Sequence, residues 1–95
     1  MTKEEIKVIT DSTGMLQFSA SWCGPCKALS KTFNENTEKL NKVKRIYVDL
    51  DRNQDLATEY NVRSVPTLIL FKEGKEVGRL VGNKSLEDLV DFINI

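Results

Sequence analysis

Residues 15–27 read MLQFSASWCGPCK, and the fold turns on how this stretch is divided. "MLQFSA" (15–20) reads as a strand. From Cys26 onward, Leu29, Phe33, Thr37 and Leu40 recur three or four apart, which predicts a helix reaching about Asn41 with a polar opposite face. The chain's only two cysteines, Cys23 and Cys26, therefore fall between the carboxyl end of a strand and the first turn of a helix. Open α/β sheets tend to bind and react at that place.

The sequence to either side continues the alternation of strand and helix. "IKVIT" (6–10) alternates apolar and polar residues and reads as a short first strand, followed by the turn formers "DSTG" (11–14). "VKRIYVDL" (43–50) offers another strand, and Asp51 is placed to cap a short helix running to Tyr60. "TLILF" (67–71) is apolar throughout, as expected of a strand buried on both faces, and the turn "KEGK" joins it to "EVGRLVG" (76–82) as a hairpin. "SLEDLVDFI" (85–93) starts with Ser85 as N-cap and Asp88 in the capping-box position, and Leu86, Leu89, Val90 and Ile93 form an apolar stripe. No repeat or linker divides the chain, so residues 1–95 are expected to form a single α/β domain, a mixed sheet flanked by helices. A right-handed crossover makes the strands at 15–20 and 43–50 parallel.

Fourteen basic residues balance fourteen acidic ones, so no net field favours nucleic acid or an anionic membrane. The longest apolar stretch, around Leu68 to Phe71, falls far short of the ~20 residues a membrane span needs, and "MTKEEIKVIT" has no apolar signal region. We expect an intracellular, cytoplasmic protein, a setting in which a cysteine pair is more often catalytic or metal-binding than structural.

A cysteine at a helix start meets unsatisfied N–H groups and the positive end of the helix dipole, both of which favour thiolate over thiol. Cys23 has that position. Cys26 lies one turn further in, on the core-facing side, where apolar neighbours keep its thiol protonated and shielded. An accessible thiolate can attack a disulfide in another molecule, and a second thiol one turn away can then release the product. Gly24 is read as permitting the tight turn, Pro25 as fixing the first helical turn, and Lys27 as adding positive charge. A purely structural disulfide would close too short a loop to constrain the unfolded chain much. Zinc would find half of a tetrahedral site, since the chain has no histidine and no third cysteine. No metal or other cofactor is expected beyond the redox-active pair itself.

The segment "FSASWCGPCK" resembles the active-site segment of thioredoxins, and the similarity continues through "VDLDRNQDLATEYNVRSVPTLILFKEGKEVGRLVG", covering the chain from about Met15 onward. The resemblance implies a thioredoxin fold and a thiol-disulfide oxidoreductase that reduces protein disulfides, with Cys23 attacking and Cys26 resolving. It implies further that Pro66 is a cis-proline facing the cysteines and that Val65 offers its backbone to substrate. Trp22 and Gly82 match residues flanking the substrate groove; a core aromatic and a plain strand end are the competing readings of these two. Asp49 and Asp51 are read as strand end and helix cap rather than as a carboxylate pair for a metal.

Four departures from the family pattern stand out. Gln17 occupies the position of a buried aspartate that relays the proton of the resolving thiol, and Tyr47 that of its lysine partner; an amide cannot be a general base. Losing both charges together avoids stranding one of them. Cys26 is then expected to lose its proton through water or to the departing Cys23 sulfur, in a slower second step. Lys31 replaces a helix-kinking proline, suggesting a straighter helix. Ser19 stands where bacterial members often have tryptophan. The short stretch before Cys23 leads us to expect a shortened N-terminal region lacking the usual first helix, with part of one sheet face exposed.

The leading expectation is thus a protein-disulfide reductase acting as a monomer on disulfide-containing proteins and recharged by a flavoprotein thioredoxin reductase using NADPH. A non-catalytic interaction module built on the same surface and a glutathione-recharged, glutaredoxin-like reductase are the alternatives.

Overall fold

The computed structural model describes residues 6–7 and 11–95. Its centre is β1 (Gly14–Ser19), with β2 (Arg45–Asp49) parallel on one side and β3 (Thr67–Lys72) antiparallel on the other; β4 (Lys75–Val81) pairs antiparallel with β3. The expected parallel crossover is present, and the helix it requires is α1 (Gly24–Glu35). A one-turn α2 (Thr37–Leu40) follows, then a 3-10 turn at Leu50–Arg52, α3 (Gln54–Glu59) after β2, and α4 (Leu86–Ile93) at the end. Among the described residues, none of these helices is long and apolar enough to cross a membrane.

Strand periodicity divides the core in two. Met15, Leu68 and Leu70 meet Leu29 and Phe33 of α1, Leu40 of α2, and Leu89, Phe92 and Ile93 of α4. Leu16, Phe18, Ile69 and Phe71 point the other way, against Ile6 and against Leu56 and Ala57 of α3. β1 is buried along its whole length, and β3 is buried at all but its last residue, as its unbroken apolar run requires. The β3–β4 turn puts Glu73 and Gly74 at φ 52° and 81°, the positive angles that a two-residue hairpin turn demands. At the start of α4, the Ser85 hydroxyl accepts from the Asp88 N–H at 3.2 Å, the expected cap.

Four expectations are corrected. The helix predicted from Cys26 to Asn41 is broken at Asn36 (φ −130°, ψ 39°), whose side-chain amide donates to the Thr32 carbonyl at 2.8 Å. Such side-chain bonding competes with the helical ladder, and the change of phase leaves Thr37 exposed while Leu40 still reaches the core. The cap after β2 is Asp49, which accepts from the Asp51 N–H at 3.0 Å and starts the 3-10 turn, so α3 begins only at Gln54. Of the strand expected over residues 6–10, only Ile6 and Lys7 are described, and both are helical; residues 8–10 lie outside the described residues. Asp11 N–H donates to the Lys7 carbonyl at 2.8 Å, a helical spacing, before the turn at residues 11–13. A helical Ile6 packs on the sheet face that was expected to lie open, and Leu16, Phe18 and Ile69 are fully buried there. The apolar run at 6–10 was too short for periodicity to separate strand from helix.

Leu29 is completely buried, whereas Ser85 is exposed and acts only through its hydroxyl. Leu29→Ala should cost ~2–5 kcal/mol of a total stability of about 5–15 kcal/mol. Ser85→Ala should cost ~1 kcal/mol. Urea unfolding curves of the two variants test this ranking, and equal midpoints would contradict it.

Candidate active site

β1 is flanked by the strand that follows it through α1 and by a strand from later in the chain, so its carboxyl end is a topological switch point. Residues 20–23 make the turn there, closed by Cys23 N–H donating to the Ala20 carbonyl at 3.1 Å. Cys23 is the N-cap of α1: its backbone is extended (φ −93°, ψ 109°) and its Sγ accepts from the Cys26 N–H at 3.1 Å. The two cysteines are joined as a disulfide across a Cα–Cα distance of 5.3 Å. No acidic residue occupies the first turn of α1, so nothing there offsets the helix dipole that would hold a Cys23 thiolate after reduction.

Cys23 is less open than its position suggests. It is 5% exposed against 2% for Cys26, because its sulfur is turned in toward Cys26 and packs with Ala20 and Val65. The surface around it is supplied by the exposed Trp22, Gly24, Pro25 and Lys27. Pro25 does sit in the first turn, but Gly24 has no left-handed φ, so the turn does not require glycine. A Cβ at Gly24 would meet nothing within 4 Å, so the position lies open on the surface beside the buried sulfurs.

Trp22 is 66% exposed and thus no core aromatic. Its indole N–H donates to Asp51 Oδ2 at 3.0 Å, fixing the ring beside the cysteines. Sequence reasoning spent Asp51 on a helix cap and missed this role; the only signal was its place just past the end of β2. Opposite lies Val65, whose peptide bond to Pro66 is cis. The Thr67 hydroxyl donates to the Ser64 carbonyl at 2.7 Å, and Gly82 N–H donates to the Pro66 carbonyl at 2.8 Å. Gly82 has φ 91°, a conformation other residues rarely adopt, with open space where a Cβ would stand. Trp22, Cys23, Cys26, Val65, Pro66 and Gly82 are therefore brought to one end of the sheet.

Gln17 lies behind them, fully buried, on the face of β1 that meets α1. Its amide nitrogen donates to Ser19 Oγ at 2.9 Å and to Ser30 Oγ at 3.1 Å, and its amide oxygen accepts from the Arg45 guanidinium. Tyr47 is the register partner of Gln17 on β2, yet it is 45% exposed and does not fill the interior. The expected replacement of a charged pair by neutral groups is corrected accordingly: a cation is present, supplied by Arg45 two residues earlier on the same face of β2. Its carbon 4.4 Å above the Phe33 ring adds a cation–π contact, and burial pushes the guanidinium below its ordinary pKa. Ser30 and Arg45 were not singled out from sequence; Ser30 is recognisable only as a small polar residue one turn past Cys26.

No buried side-chain nitrogen or oxygen lacks a partner among the described residues. Nor do these residues hold a group of three or more His, Cys, Asp or Glu suited to a metal.

The family model described as Thioredoxin matches residues 2–95. A thioredoxin of Chlamydia trachomatis is 44% identical over 80 residues, 84% of this chain and 78% of the relative. One from Rickettsia felis is 37% identical over 86 residues, 90% of this chain and 82% of the relative. Among solved structures, a mutant thioredoxin from Halobacterium salinarum superposes with a TM-score of 0.87 at 34% identity, covering 99% of this chain and 84% of that one. Relatives, superposition and the disulfide at the head of α1 all point the same way: this chain belongs to the thioredoxin family and is a thiol-disulfide oxidoreductase.

Proposed function

We propose that the protein reduces disulfides of other proteins in two exchanges, with Cys23 attacking and Cys26 resolving, and that a thioredoxin reductase recharges it. The observation that carries this assignment of roles is the N-cap: Cys23 Sγ already accepts a helix N–H, the arrangement that favours a thiolate there. In the first exchange the Cys23 thiolate bonds to one substrate sulfur, and the other leaves as a thiolate that takes up a proton. In the second, Cys26 bonds to Cys23 and the bond from Cys23 to substrate breaks. The sulfur that departs is the substrate's, so the proton of Cys26 ends there or in water; of the two expected routes, water and the Cys23 sulfur, the second does not apply.

Trp22, Val65, Pro66 and Gly82 are assigned to binding an extended substrate segment, with Lys27 at the rim. The working unit is taken to be one chain. A reducing cytoplasmic setting suits a protein whose task is to present two thiols.

Reduction of a disulfide-bonded protein such as insulin should proceed with NADPH and thioredoxin reductase and stop in Cys23→Ser, while Cys26→Ser should trap substrate as a mixed disulfide. Turnover with glutathione alone would favour the glutaredoxin-like alternative, and none with either donor the interaction module. Asp51→Ala frees the Trp22 ring and should lower kcat/KM several-fold, about 0.5–1.5 kcal/mol, with alkylation of Cys23 unchanged. If Gln17 slows the second exchange, Gln17→Asp should shorten the lifetime of the mixed disulfide; rapid mixing with a chromogenic disulfide measures it, and an unchanged lifetime across pH would contradict the role.

A further inference from the structure

Among the described residues the sheet ends at β2 on one side and at β4 on the other. In a parallel ladder a strand turns the N–H and C=O of alternate residues toward its neighbour. Met15 N–H donates to the Lys44 carbonyl at 2.8 Å, and Met15 stands in register with Arg45. Lys44, Ile46 and Val48 therefore serve β1, and the backbone groups of Arg45, Tyr47 and Asp49 point off the edge of the sheet. The Asp49 carbonyl accepts from the Asn53 side-chain amide at 2.9 Å and keeps a second lone pair.

Such a row of donors and acceptors is a template for another strand, and the sequence of β2, RIYVD, is its own complement when a second copy runs antiparallel to it. Centred on Tyr47, the pairing sets Arg45 against Asp49 of the second copy, Ile46 against Val48, and Tyr47 against Tyr47. The residues whose backbones face outward then become the pairs that exchange both N–H···O bonds. Centring on Arg45 or on Asp49 would oppose like charges. One guanidinium nitrogen of Arg45 serves Gln17 and leaves other donors of the fork free to turn outward. Asp49 Oδ1 accepts from the Asp51 N–H, while Oδ2 lies 3.9 Å from the exposed Arg52, a surface pair of little strength. On the opposite face Ile46, half-buried at the rim of the Leu16 and Phe18 core, gains an apolar neighbour.

β4 has no such symmetry. Its register with β3 shifts between Leu70 and Phe71, Glu76 and Arg79 already bond each other, and antiparallel pairing about Val77 would set Lys75 against Arg79.

We propose that the outer edge of β2 is an interface between two copies of this chain, which pair antiparallel about Tyr47 and join their four-stranded sheets into one. The contact is a single five-residue strand on each side, so the dimer is weak and forms at high concentration. The pairing uses neither cysteine nor any residue assigned to substrate, so each copy keeps a complete site, and the dimer forms whether or not the chain reduces disulfides.

Sedimentation of the oxidised protein from about 10 μM to about 1 mM should show the average mass rising toward that of two chains. Tyr47→Lys puts two like charges directly opposite each other at an exposed position and should weaken association about tenfold. In a Cys23→Ser, Cys26→Ser background, Tyr47→Cys brings two thiols together on residues whose Cα atoms are about 5.5 Å apart, within the ~4.4–6.8 Å that a disulfide spans. Copper phenanthroline should then cross-link Tyr47→Cys into a dimer and leave Val77→Cys, exposed on β4, as single chains. Thermal unfolding checks that each variant folds; should Tyr47→Lys not fold, the cross-linking pair decides. A single-chain mass throughout the range overturns the proposal, whatever other strand the edge then accepts. So does association that Tyr47→Lys leaves unchanged, or cross-linking that is equal at the two positions.

Discussion

Everything at the reactive end depends on β1 being buried along its whole length in the middle of the sheet. A strand in that position can bury a polar side chain only if its hydrogen bonds are completed, because an unpaired buried amide costs ~1–3 kcal/mol. Gln17 and Ser19 occupy alternate positions on the face that receives α1, between the sheet and the helix carrying both cysteines. Ser30 and Arg45 complete the bonds of Gln17 from two other elements, so one network ties β1, α1 and β2 together behind the disulfide. The other face is apolar at the same level, with Leu16 and Phe18 against α3 and Ile6.

Much of this architecture is legible in the residues. The apolar run 67–71 requires a central strand, Ser85 with Asp88 requires a helix start, and the cysteine spacing after 15–20 requires a strand-to-helix turn; all three are present. What is not legible depends on partners distant in sequence. Asp51 serves Trp22, 29 positions away, and Arg45 reaches back 28 positions to Gln17. A pairwise register between β1 and β2 assigns Tyr47 to Gln17, but a long flexible side chain two residues off that register wins the contact. The break at Asn36 was hidden for a different reason: a helical stripe through Leu29, Phe33 and Leu40 survives a change of phase, so periodicity does not reveal it.

The site also separates rigid from adaptable components. The Pro66 carbonyl is tied to the Gly82 N–H and the indole of Trp22 to Asp51, so both walls are held by residues outside the cysteine motif. Gly24, beside Cys23, presents no side chain to the surface.

Cys23 is at once the capping residue of α1 and one half of its disulfide. In the oxidised protein the first turn is fastened covalently; on reduction that fastening is lost, and a thiolate, a stronger hydrogen-bond acceptor than a disulfide sulfur, takes over the same N–H group. Each catalytic cycle thus exchanges a covalent staple for an ionic cap at one point of the backbone. The capping bond calls on the same sulfur whether or not the disulfide is closed, so the cap itself demands no rearrangement of the scaffold.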